Sequence, residues 1–177
     1  MAAELNLPNV LTVLRVLMVP IVVYALLREQ SEWNTVAAFV FAVAAATDYV
    51  DGWLARSRAQ VTRFGKVMDP LADKLLIACT LVTLSAQGRL GWWATIVVLV
   101  REFAVTGLRM SVADDGRVIS ASRWGKIKTV IQSFVVIVVI VAEPAAWVDA
   151  LVAVMVAVTV LSGIDYFVNL QRRTDPP

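Results

Sequence analysis

The sequence predicts an all-α polytopic membrane protein with six transmembrane helices, and three observations predict it. Of its 177 residues, 59% are hydrophobic and the mean hydropathy is +0.75, outside the range of chains that fold in water. The apolar residues fall into six blocks of roughly 18 to 25, the length at which a helix crosses about 30 Å of hydrocarbon. The connections between blocks alternate between rich and poor in basic residues, as loops on opposite sides of a bilayer do.

The first block, residues 10–27, follows Met-Ala-Ala-Glu in place of a basic leader and has no small-residue cleavage signature, so it reads as a retained span. Blocks 33–54 and 67–86 are separated by Arg56, Arg58, Arg63 and Lys66. Blocks 92–110 and 124–141 are bridged by Arg109, Arg117, Arg123, Lys126 and Lys128, and block 145–170 is followed by Arg172 and Arg173. The opposite connections hold Arg28 and Arg89 as their only basic residues, so the positive-inside rule puts both termini and the two basic loops in the cytoplasm. No linker or internal repeat divides the chain, which reads as one membrane domain, 1–177.

Cys79 is the only cysteine, so an intrachain disulfide is excluded. Histidine is absent, which excludes imidazole ligands and histidine nucleophiles and leaves carboxylates as the acid, base and metal-binding groups. A net charge of +2 gives no reason to expect a nucleic-acid partner.

The most informative segment is Asp48-x-x-Asp51-Gly52-x-x-Ala55-Arg56, then eight residues, then Gly65-x-x-x-Asp69-x-x-x-Asp73. On a helix, positions 48, 51, 52, 55 and 56 share one face, and 65, 69 and 73 share a face of the next. The short basic loop makes the two helices antiparallel neighbours. At about 1.5 Å per residue, Asp48 lies roughly 12 Å inside the cytoplasmic edge and Asp73 roughly 10 Å, so the four carboxylates fit one layer. Four ionised groups at that depth repel, so either some are protonated or cations sit among them. Two divalent ions would balance the charge, and all-oxygen ligands favour Mg²⁺ or Mn²⁺. Solvation of two helix ends is a poor account of four aspartates at helical spacing. Gly52 and Gly65 would let a nucleotide diphosphate approach the backbone, and Arg56 can fork onto phosphate oxygens.

This arrangement resembles the signature of the CDP-alcohol phosphotransferases, with every specified residue at its specified spacing. The resemblance implies that Asp48, Asp51, Asp69 and Asp73 hold two metal ions and that Asp73 is also the base on the acceptor hydroxyl. It implies that Gly52, Ala55, Arg56 and Gly65 frame the CDP moiety, with Thr62 a polar contact to the CDP-lipid. Asn6-Leu-Pro-Asn-Val-Leu-Thr-Val-Leu-Arg15, Arg101-Glu-Phe-Ala-Val-Thr-Gly-Leu-Arg109 and Gly125-Lys-Ile-Lys-Thr-Val-Ile-Gln132 are similar to the members that take glycerol 3-phosphate as acceptor and CDP-diacylglycerol as donor. Homodimers are common among such relatives. The implied setting is a bacterial cell membrane, with the active site open to lipid and to the cytoplasm.

These segments also read from their residues. Asn9, Thr12 and Arg15 form a polar arc of about 120° that should face protein or a wet cavity. Asn9 and Thr12 match family positions near the CDP-lipid; Asn9 also reads as a helix cap, and Arg15 as the partner of a carboxylate. Arg101 lies two turns before Arg109, roughly 12 Å inside, in the layer of the aspartates. Glu102 is its neighbour, but adjacent helical positions point about 100° apart and do not face each other. Arg109, Lys126 and Lys128 are acceptor-site candidates beside Arg101, although the two lysines also suit ordinary flanking charges. The rivals are sibling enzymes acting on inositol phosphate, serine or phosphatidylglycerol, and a small cation transporter. The transporter's repeat symmetry is missing, and the carboxylates lie near one edge instead of the midplane.

Overall fold

The computed structural model describes the backbone of residues 7–58, 63–114 and 123–174, and the side chains of 10–47, 71–72, 74–111 and 124–168. Six helices run through the described residues: α1 (Leu7–Leu27), α2 (Ser31–Arg58), α3 (Arg63–Ala86), α4 (Trp92–Asp114), α5 (Arg123–Val141) and α6 (Ala146–Thr174). No strand is present among them. Each helix corresponds to one apolar block, and several outrun their block at the polar end. Thus α2 continues to Arg58 and α3 begins at Arg63, because the backbone hydrogen-bond ladder propagates regardless of side-chain polarity.

Val10–Leu27, Trp124–Val141 and Ala146–Val168 are long and apolar enough to cross a membrane. Large apolar side chains face outward, with Phe39, Trp92 and Val130 each 70% exposed. Such a surface invites aggregation in water and is stable against hydrocarbon. Trp92, Trp93, Trp124 and Trp147 stand exposed at helix starts, where indole rings bridge hydrocarbon and headgroups. The protein is a membrane protein.

The chain forms two units, Met1–Gln87 and Gly88–Pro177. In the first, α1 packs along both α2 and α3. Ala25, Ala37, Ala38, Ala44 and Ala72 are buried there, and their small side chains let the helix backbones approach. Val22, Leu26, Phe41, Leu81 and Leu84 fill the remaining space. The α1–α2 turn closes with Glu29 N–H on the Leu26 carbonyl at 3.1 Å, and Glu29 has φ 52°. Glycine usually takes that left-handed position at a helix end. Gln87 Nε2 donates to the same Leu26 carbonyl at 2.7 Å, fastening the end of α3 to the end of α1.

In the second unit α6 packs against α4 and α5, burying Ala94 and Val98, Val135, Val139 and Ile140, and Val152 and Met155. Arg89 closes α5: its Nη2 donates to the Ile140 carbonyl at 2.7 Å and to the Ala142 carbonyl at 3.1 Å. A cation there meets the negative end of the helix dipole as well as carbonyls without helical partners. In both units, buried threonines answer their own helix. Thr80, Thr83 and Thr159 donate to the carbonyls of Leu76, Cys79 and Met155, four residues back.

Arg89→Ala removes two charge-assisted bonds and should destabilise the protein by about 1–3 kcal/mol. Arg28→Ala should cost less, about 0.5–1 kcal/mol, since that exposed guanidinium rests on the Tyr24 and Trp33 rings. Thermal melting in detergent should therefore rank Arg89→Ala clearly below Arg28→Ala; equal melting temperatures would contradict the capping role.

Candidate active site

The aspartate motif lies on continuous helix. Positions 48, 51, 52, 55 and 56 fall within α2 and positions 65, 69 and 73 within α3, so the register assumed for Asp48, Asp51, Gly52, Ala55, Arg56, Gly65, Asp69 and Asp73 holds for the backbone. The side chains of these eight residues, and Thr62 altogether, lie outside the described residues. Among the described residues no cluster of three or more His, Cys, Asp or Glu could hold a metal. As a donor set, four carboxylates suit a hard divalent cation.

The polar arc on α1 faces protein. Thr12 and Arg15 are both buried, and Arg15 Nε donates to the Ala44 carbonyl of α2 at 3.3 Å, one turn before position 48. The Asn9 side chain is outside the described residues, but α1 already runs from Leu7, so Asn9 is inside the helix and the capping role is corrected.

A second polar cluster belongs to α4, α5 and α6, and it revises two expectations. Arg101 and Glu102 were expected to point apart as helix neighbours. Instead Arg101 Nη1 donates to Glu102 Oε1 at 3.2 Å, because both arms are long enough to bend to a common point. The second revision concerns the lysines. Lys126 is exposed like a flanking charge, whereas Lys128 is buried and donates to that same Glu102 oxygen. Two residues on a helix are about 200° apart, so only one of the pair can turn inward.

From α6, Ser162 Oγ accepts a hydrogen bond from Arg101 Nη2 at 2.9 Å and donates its own O–H to the Thr159 carbonyl at 2.9 Å. The exposed Arg109 holds its guanidinium 5.4 Å from the centre of the buried Tyr166 ring. Gln132, one turn beyond Lys128, is buried too. Arg101 and Lys128 thus converge on the Glu102 carboxylate, with Gln132, Thr159 and Ser162 buried on α5 and α6. Cationic side chains gathered in this way are suited to an anion.

Residues 5–161 match the CDP-alcohol phosphatidyltransferase family. The chain belongs to that family. Among its relatives, a Mycobacterium tuberculosis H37Rv protein named "Probable phosphatidylglycerophosphate synthase" is 42% identical over 173 residues, covering 94% of this chain and 82% of that protein. A Bacillus subtilis protein named CDP-diacylglycerol–glycerol-3-phosphate 3-phosphatidyltransferase is 39% identical over 181 residues, covering 92% and 93%. A Pseudomonas fluorescens protein of the same name is 41% identical over 148 residues, covering 80% and 75%. For a CDP-alcohol phosphatidyltransferase, sequence reasoning missed the contacts of Glu102, the burial of Gln132 and the presence of Ser162 and Tyr166. Their signal was available: Lys128 with Gln132, and Ser162 with Tyr166, are polar pairs at i, i+4 inside apolar helices.

Leaving a buried charge bare costs about 3–5 kcal/mol, and the loss of Lys128 should cost less because Arg101 still pairs with Glu102. Lys128→Met should therefore lower the melting temperature measurably, while Lys126→Met should leave it nearly unchanged. Glu102→Gln, which leaves both cations without that carboxylate, should lower it further. Equal behaviour of the two lysine variants would contradict the assignment.

Proposed function

We propose that the enzyme transfers the phosphatidyl group of CDP-diacylglycerol to sn-glycerol 3-phosphate, giving phosphatidylglycerophosphate and CMP. The names of the relatives support this, since their matches run through most of the chain. The observation that carries the choice of acceptor is Arg101, a half-buried guanidinium among apolar helices, which bonds Glu102 and Ser162 and keeps further N–H donors uncommitted. Cations set within such helices call for an anionic partner, and a phosphate monoester is one.

In this reading Asp48, Asp51, Asp69 and Asp73 are the ligands of two divalent cations, Mg²⁺ or Mn²⁺. When bound, these ions would polarise the diphosphate and offset charge on the leaving group. Asn9, Thr12, Gly52, Ala55, Arg56, Thr62 and Gly65 bind the CDP-lipid, with Arg56 forking onto phosphate oxygens. Arg101 and Lys128 receive the acceptor phosphate, and the exposed Arg109 and Lys126 line its approach. Asp73 takes the proton of the acceptor hydroxyl as that oxygen bonds to the phosphorus bearing the diacylglycerol. The bond from this phosphorus to the CMP oxygen breaks, and CMP leaves with the electron pair.

The same proposal has all six helices spanning a bacterial cell membrane, with both termini and the active site on the cytoplasmic side, as the basic residues favour. The family match runs through both units, which supports a single catalytic domain. A homodimer is adopted from the resemblance to relatives alone.

Purified protein given CDP-diacylglycerol and Mg²⁺ should release CMP with glycerol 3-phosphate and not with inositol phosphate, serine or phosphatidylglycerol; release with another of these alone would assign the sibling activity. Chelation should abolish turnover, with Mg²⁺ or Mn²⁺ restoring it. Asp73→Asn should lose most turnover yet still bind CDP-lipid. Arg101→Gln should raise KM for glycerol 3-phosphate at least tenfold, about 1.4 kcal/mol, with little change for the CDP-lipid. An equal loss for both substrates would make Arg101 structural.

A further inference from the structure

Arg101 is fixed from three sides. Of its five N–H donors, one on Nη1 goes to Glu102 and one on Nη2 goes to Ser162, while Nε is buried with no acceptor. One N–H on each terminal nitrogen is left uncommitted, and the side chain is 13% exposed. A buried N–H without a partner is unfavourable by about 1–3 kcal/mol, so the surrounding contacts hold this conformation against that penalty.

Gly163 is one of those contacts. A Cβ built there would stand 3.3 Å from Arg101 Cγ and 3.8 Å from Nε. The Arg101 side chain therefore passes close over the α6 backbone, where a Cβ would press on its stem. Ser162, next along α6, has its proton engaged by the Thr159 carbonyl, so its oxygen is turned to Arg101 as an acceptor. Glu102 holds the other terminal nitrogen and is itself held by Lys128.

We infer that Glu102, Ser162 and Gly163 are positioning residues that lock the Arg101 guanidinium with one N–H on each terminal nitrogen reserved for the phosphate of the acceptor. The inference rests on the reading of Arg101 as the acceptor ligand. It adds that selection for a phosphate monoester depends on the α6 backbone at Gly163 as well as on the arginine itself. An acceptor with no phosphate leaves those two donors unmet in a nearly dry site. A planar fork held in one orientation also favours two oxygens of one phosphate over a single oxygen.

The test is steady-state kinetics on Gly163→Ala, Ser162→Ala and Glu102→Gln, each alone and combined with Arg101→Gln, with melting temperature recorded for every variant. Gly163→Ala asks Arg101 to shift by a few tenths of an ångström and Ser162→Ala removes one bond, so both should fold even where Glu102→Gln does not. Each should raise KM for glycerol 3-phosphate three- to tenfold while KM for CDP-diacylglycerol stays within twofold. Neither should add to the defect of Arg101→Gln, since both act through that side chain. If Arg101→Gln leaves the acceptor KM unchanged, the acceptor assignment falls and the positioning role with it. If Arg101→Gln raises that KM but Gly163→Ala and Ser162→Ala leave it at the wild-type value, or add to the Arg101→Gln defect, the positioning role alone is overturned.

Discussion

Hydrocarbon offers no hydrogen bonds, so each polar group carried into it has to be answered from within the protein, and much of this structure is arranged around that demand. The answers are graded by the strength of the group. A threonine hydroxyl is met by its own helix, one turn back. A buried guanidinium on α1 reaches a neighbouring helix, where Arg15 finds the Ala44 carbonyl. Charges that cannot be met by one carbonyl are gathered, as Arg101 and Lys128 are around Glu102.

That gathering is expensive as a source of stability. Burying three ionised groups means stripping their water, and replacing such a set with well-packed apolar side chains often leaves a protein as stable or more so. Its presence on α4 and α5, whose buried apolar residues are mostly valine, fits the acceptor-binding role proposed for it. Glu102 lowers the repulsion between the two cations that meet on it, so that both can be held together.

Much of this was legible in the chain. Apolar length alone located the six helices, since each block is close to a bilayer in extent and ends in a turn or a basic run. The aspartate motif was legible because its spacing is that of a helix, whatever the helix packs against. The helical period put Thr12 and Arg15 on a face expected to meet protein or a wet cavity, and both are buried. It tells which residues share a face and not which neighbour that face meets. Lys126 and Lys128 look alike as sequence and differ only through the side of α5 that carries α6 and Glu102. The Ser162 contact to Arg101 spans 61 residues, and no local pattern encodes it. The bond between Arg101 and Glu102 escapes the helical period for another reason: backbone direction does not bound the reach of side chains several bonds long.

The near contact between Gly163 and Arg101 also gives α6 a reading frame. Adding one residue to the helix upstream of this point would rotate the remainder of α6 by about 100° and advance it by about 1.5 Å. Ser162 would then occupy the glycine's place, and a deletion would bring in Ile164, each with a side chain where the arginine stem now runs. The number of residues between Val152, packed in the core, and Gly163 therefore has to be kept by anyone grafting α6 between homologues. Downstream of Val168 no such count is imposed by this contact, which makes the C-terminal end of α6 the natural place to attach a tag or a fusion partner.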